Sequence, residues 1–101
     1  MASELYSTSE NLEKVIRDFS SKLQTYIDNM RTELDALKKA MSVLGSGWTD
    51  SNSDAFAVTM REKMNEISKI LERSEELKNY LDERALEYRE LMELLSAVND
   101  D

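Results

Sequence analysis

Both glycines of this chain, Gly45 and Gly47, fall in one short stretch, and there is no proline anywhere in its 101 residues. The stretch reads Gly45-Ser46-Gly47-Trp48-Thr49-Asp50-Ser51-Asn52-Ser53-Asp54, so the Ser, Asn and Asp residues that favour turns gather there too. Gly, Pro and short polar residues are what let a backbone reverse direction. With one such cluster, the chain has one place to fold back sharply. Folds built of many short strands need turn residues every few positions, and this chain lacks them.

The segments on either side carry helical periodicity. Before the break, Leu12, Ile16, Phe19, Leu23, Ile27, Met30, Leu34, Leu37, Met41 and Leu44 follow one another at steps of three and four. After it, Phe56, Met60, Met64, Ile67, Leu71, Ser74, Leu77, Leu81, Ala85, Tyr88, Met92 and Leu95 do the same. Such spacing places apolar side chains on one stripe of a helix, and nothing alternates with the period of two that a strand requires. The pattern predicts a single domain over residues 1–101, with one helix over about 7–44, a turn over 45–52 and a second helix over about 53–98. A short turn makes the two helices antiparallel neighbours, an all-α helical hairpin. Ser7 or Ser9 is the expected N-cap of the first helix, with Ser7-x-x-Glu10 as a capping box, and Ser51-x-x-Asp54 is the corresponding box of the second. Lys38 and Lys39 would complement the first helix dipole, and Gly45 is the expected left-handed residue just past its end.

The apolar stripes are wider than one seam needs. Val15/Ile16, Tyr26/Ile27, Ile70/Leu71, Tyr80/Leu81, Leu91/Met92 and Leu94/Leu95 add a second row beside the first. Two facing helices require about two apolar positions in seven, and a helix covered from two sides requires three or more. The expectation is therefore a second hairpin chain, completing a four-helix bundle as a homodimer or a heterodimer. The candidate interface residues are Leu12, Phe19, Leu23, Met30, Leu37, Ile67, Leu71, Leu81, Tyr88 and Leu95.

Other absences limit the chemistry. The chain has no Cys and no His, which removes disulfides, thiolate or imidazole metal sites and the usual nucleophile–base pairs. Asp50-Ser51-Asn52-Ser53-Asp54 starts like a calcium loop, but Ala55 stands where such a loop needs Gly, and Arg61 where it needs Glu. Glu83, Glu87 and Glu90 share a helix face without the His that a di-iron bundle would add. No catalytic, cofactor-binding or metal-binding residue is expected, and the chain reads as a non-enzyme.

Formal net charge is −8, which disfavours nucleic acid and anionic membranes as partners. Residues 1–49 hold seven acids and six bases, and residues 50–101 hold fourteen acids and seven bases, so the acidity belongs to the second half and its Asn99-Asp100-Asp101 end. A solvated helix face accounts for this, and so would a surface addressed to a basic partner. No run of apolar residues is long enough for a membrane span, and the first residues lack the apolar core of a signal peptide. Trp48, the only Trp, stands in the turn. A large aromatic there either packs back onto the hairpin beside Leu44 and Phe56 or anchors a partner.

About 100 residues, two long helices and a central Trp turn resemble the WXG family, the small proteins similar to the early secreted antigenic target that type VII (ESX-like) secretion systems export. The resemblance covers the whole chain. It rests on Leu37, Met41 and Leu44 leading into Gly47-Trp48-Thr49-Asp50, then Ser53-Asp54-Ala55-Phe56, with Phe56 eight residues past the Trp. Asp50 replaces the family's Gly. The family's C-terminal Tyr-x-x-x-Asp/Glu has no match, since Tyr80 is followed four residues later by Arg84, and Tyr88 by Met92.

The resemblance implies virulence-associated export from a Gram-positive or mycobacterial cytoplasm without a cleavable leader, and no insertion into the membrane. It implies a related hairpin as partner, together with a larger secreted toxin and the secretion ATPase. Gly47, Trp48, Asp50 and Phe56 would form the turn half of an export signal completed by the partner. The alternative is an intracellular helical adaptor or structural bundle protein with no role in secretion. A weaker reading is an acidic mimic that occupies a basic site.

Overall fold

The computed structural model describes residues 1–99, and Asp100 and Asp101 of the acidic end lie outside the described residues. It is all-α. Helix α1 spans Ala2–Gly47 and helix α2 spans Ser51–Asn99, with no strand among the described residues.

Both helices are longer than the periodicity indicates. Ser7 and Ser9 are interior residues of α1, and Ser9 is buried. No breaker precedes them, Glu4 favours the positive N-terminal end, and the Leu5 N–H donates to the Met1 carbonyl at 3.1 Å. The helix therefore propagates back to the start of the sequence, and Ser7-x-x-Glu10 caps nothing. At the other end, Gly45 is helical rather than left-handed, since no described residue has positive φ. The ladder runs on because the Trp48 N–H reaches the Leu44 carbonyl at 2.9 Å. Lys38 and Lys39 consequently stand upstream of the last turn, which holds no basic residue.

The cap of α2 is Asp50, one residue before the expected box. Its Oδ1 accepts from the N–H groups of Asn52 at 2.9 Å and Ser53 at 3.1 Å, while the Ser53 hydroxyl donates to the Asp50 carbonyl at 2.6 Å. A carboxylate suits this place because its charge faces the positive end of the helix dipole.

The chain divides into two compact units. The tip unit is Tyr26–Glu75; the terminal unit joins Met1–Thr25 to Glu76–Asp101. In the tip unit α1 and α2 form an antiparallel hairpin through the turn. Its seam is apolar, with Ile27, Leu34, Met64 and Leu71 buried and an Arg31–Glu75 ion pair linking the helices. Burying an aliphatic side chain of this size contributes about 1.5–3 kcal/mol.

The terminal unit is built differently. Its buried residues are Ser9, Ser20, Ala85 and Met92, three of them small. The Ser20 hydroxyl donates to Asp82 Oδ1 at 2.5 Å, and Lys78 Nζ reaches Asp82 Oδ2 at 2.6 Å. These contacts hold the Asp82 carboxyl below the usual aspartate range, the Lys78 hydrogen bond contributing most and the Ser20 hydrogen bond next.

Candidate functional site: the Trp48 turn and the uncovered apolar rows

Two features stand out, and each is built by helix geometry. The first is the turn of the tip unit. Trp48 is partly buried against Phe56, with ring centroids 5.4 Å apart and planes inclined at 49°, a tilted pairing that aromatic rings favour. The eight-residue step brings them together because Trp48 closes α1, while Phe56 lies in the second turn of α2. A groove beside them is lined by Met41, Leu44, Gly45, Asp54, Ala57 and Arg61. The Trp thus packs on its own hairpin while Leu44 and Phe56 keep exposed apolar surface around it.

Gly47 sits in the last turn of α1 and does not touch this aromatic pair through a side chain. A Cβ at Gly45 or Gly47 would meet nothing within 4 Å. Neither glycine is required here by backbone angle or by a close approach.

The second feature is a set of apolar rows left uncovered. On α1 the seam row holds Ser20, Ile27 and Leu34; the next row holds Ile16, Leu23, Met30 and Leu37; the row beyond holds Leu5, Leu12, Phe19 and Tyr26. On α2 the seam row holds Met64, Leu71, Ala85 and Met92; the next holds Ile67, Leu81, Tyr88 and Leu95; the row beyond holds Ile70, Leu77 and Leu91. Both helices carry their outward rows at the same rotational offset from the seam. Within each unit, taken by itself, antiparallel pairing brings the two outward rows to one side.

Of the interface candidates, Leu71 is only 5% exposed and is already committed to the tip unit's own seam. Leu23, Met30, Leu37, Ile67, Leu81, Tyr88 and Leu95 are half-buried, one side against the neighbouring helix and one side open. Leu12 and Phe19 are exposed. The row beyond was only partly singled out by the stripes and doublets. Leu5 and Val98 extend it at heptad spacing, and the seven-residue step was the signal that could have found them. The Ser20–Asp82–Lys78 cluster was not anticipated. A Ser at a seam position opposite an i, i+4 Lys–Asp pair was its trace in the sequence.

Among the described residues no helix is long and apolar enough to cross a membrane, and no group of three or more carboxylates stands together in a way that could hold a metal ion.

The profile of one protein family matches residues 2–91, that of the WXG100 proteins, described as proteins of 100 residues with WXG. The chain belongs to the WXG100 family. Neither a curated protein nor a solved structure matches it. Within the family's Trp-x-Gly triplet, this WXG100 protein carries Trp48-Thr49-Asp50. The Asp50 cap gives the departure a physical reading. No residue of the turn has positive φ, so the position does not need glycine, and a carboxylate there supplies the cap.

Proposed function

We propose that this WXG100 protein is a non-enzymatic substrate or targeting helper of a type VII (ESX-like) secretion system and that it works as a two-chain helical bundle. Membership of a family of small helical proteins associated with that system supports the setting. The observation that carries the two-chain reading is the small seam of the terminal unit, which buries Ser9, Ser20 and Ala85 and only one large apolar side chain, Met92. Other large apolar side chains of the unit remain open, among them Val15 at 64%, Phe19 at 54% and Leu94 at 67%. A helix pair that wets its large apolar residues is completed by another helical surface, and a related hairpin chain offers one.

The turn is the proposed addressing element. Gly47, Trp48, Asp50 and Phe56 present a structured aromatic tip, and a partner chain, such as a related hairpin or a larger exported toxin, supplies the C-terminal Tyr-x-x-x-Asp/Glu that this sequence lacks. The secretion ATPase would read the two together. On this reading the protein is made in the cytoplasm and exported already folded. Nucleic acid is not among its proposed partners.

Trp48→Ala tests this directly. The expected outcome is a chain that stays helical and still pairs, and that accumulates in the cell pellet instead of the culture supernatant. Undiminished export of that variant would remove the turn from the signal. If the unaltered protein stays in the cell whatever the secretion system's state, the adaptor reading stands instead. That second reading draws on Tyr88, whose following Met92 breaks the export motif and is buried in the terminal unit.

A further inference from the structure

Among the described residues, Met92 is the one large apolar side chain buried in the terminal unit, where Ser9, Ser20 and Ala85 complete the seam. The tip unit also buries a methionine, Met64, but in the company of Ile27, Leu34 and Leu71. The two methionines are equally shielded, Met64 at 8% and Met92 at 9% exposure, so they differ in what surrounds them rather than in burial.

Met92 also forms one wall of an open groove of about 390 Å³ that lies within the terminal unit. A water's share of liquid volume is roughly 30 Å³, so a molecule the size of hydrogen peroxide has room beside the side chain. Of the groove's carboxylates, Glu13 is paired with Arg17 at 2.8 Å, and Glu10 and Glu93 remain with Arg89. Acids outnumber bases on these walls, which disfavours anionic oxidants such as peroxynitrite and admits an uncharged one. Tyr6 and Ser96 add hydroxyl groups to the same groove.

The geometry points to Met92 as an oxidation site through which hydrogen peroxide loosens the terminal unit. In a chain without Cys, a polarisable thioether is the side chain most open to this chemistry. The sulfur lone pair attacks one peroxide oxygen. An S–O bond forms and the O–O bond breaks. Sulfur loses two electrons, and the second oxygen departs as water after taking the proton from the first. The sulfoxide oxygen is a strong hydrogen-bond acceptor, and keeping it unpaired in the seam costs the desolvation of a polar group. The donors stand on the groove side, at Arg89, Tyr6 and Ser96. The oxidised side chain therefore turns outward, and the seam is left with two serines and an alanine. Oxidation of Met64 would still leave the tip unit three buried aliphatic side chains. Met30, Met41 and Met60 are half-buried and Met1 is exposed, so their sulfoxides face solvent without emptying a seam.

The test treats the purified full-length protein with hydrogen peroxide at one fixed protein concentration, maps sulfoxides by peptide mass spectrometry and follows amide hydrogen exchange. The expected result is a sulfoxide at Met92, exchange in residues 9–20 and 78–92 faster by about tenfold or more, and little change in residues 27–34 and 64–71. Treatment with methionine sulfoxide reductases should restore the original exchange. Met92→Leu keeps the volume and removes the sulfur, so its terminal unit should be insensitive to peroxide although the other methionines oxidise. Met92 staying reduced while Met30, Met41 and Met60 oxidise would overturn the site. A Met92 sulfoxide that leaves exchange unchanged, or peroxide loosening Met92→Leu as much as the unaltered chain, would overturn its consequence. Equal loosening of both units would overturn the assignment to the terminal seam.

Discussion

Asp82 shows how one side chain can hold a helix pair together without burying apolar surface. Its carboxylate takes a hydroxyl from α1 and an ammonium from its own helix. Both partners favour the charged form, so its pKa falls below the ordinary value of 3.8. A depressed carboxyl pKa contributes stability that is fully present above the unfolded value and disappears as pH falls through the folded one. Asp82→Asn should therefore lower the melting temperature at neutral pH, and the gap from the unaltered protein should narrow below about pH 4 and close in stronger acid. Thermal melts across an acid series check this, and a gap that persists at the acid end would mean the contribution is packing rather than charge. Asp50 works by related physics at an exposed site, where a helix cap of this kind is worth about 1 kcal/mol.

The helices continue past the points where propensity alone would stop them. Gly45-Ser46-Gly47 is the least helix-favouring run in the chain, yet it forms the last turn of α1. What sustains it is the ladder bond from Trp48 to Leu44 and the hydroxyl of Ser46 donating to the Val43 carbonyl at 2.7 Å. Each glycine costs about 0.8–1 kcal/mol relative to Ala in a helix interior, less near an end. Since a Cβ meets nothing at either position, Gly45→Ala and Gly47→Ala should each stabilise the protein by about 0.5–1 kcal/mol, read as a raised urea midpoint. A fall in the midpoint would show that this turn is not helical in solution. The sequence signals for helix ends misled here for a physical reason. A glycine marks where a helix is permitted to end, while the capping geometry decides where it does, and Asp50 lies three residues beyond Gly47.

At the scale of the molecule, the two units differ in what holds them. The tip unit has Ile27, Leu34, Met64 and Leu71 in its seam, and the terminal unit has Ser9, Ser20, Ala85 and Met92. Local stability follows buried apolar area and contact density. In dilute solution, where the proposed second chain would be lost, amides in residues 9–20 and 78–92 should exchange with solvent faster than those in residues 27–34 and 64–71. At concentrations that favour pairing the difference should shrink. Hydrogen exchange at two protein concentrations checks this, and equal protection of both units on dilution would deny the terminal unit its need for cover.

By itself the sequence determined the all-α class, the one turn, the surplus of apolar rows and the family, because each is written in spacing: steps of three and four, a lone Gly/Ser/Asp cluster, and Phe56 eight residues past Trp48. Which rows form the seam was not legible there. Rows adjacent on a helix differ by about 50° of rotation, and spacing alone leaves that rotation free. Tertiary packing settled it by turning Ile27 and Leu71 inward with Ser20 and Ala85, and leaving Phe19 and Leu91 outside. Rotation is decided by how two surfaces interlock, by small residues that admit close approach and by a hydroxyl that finds a carboxylate, and such matches exist only once both helices are in place.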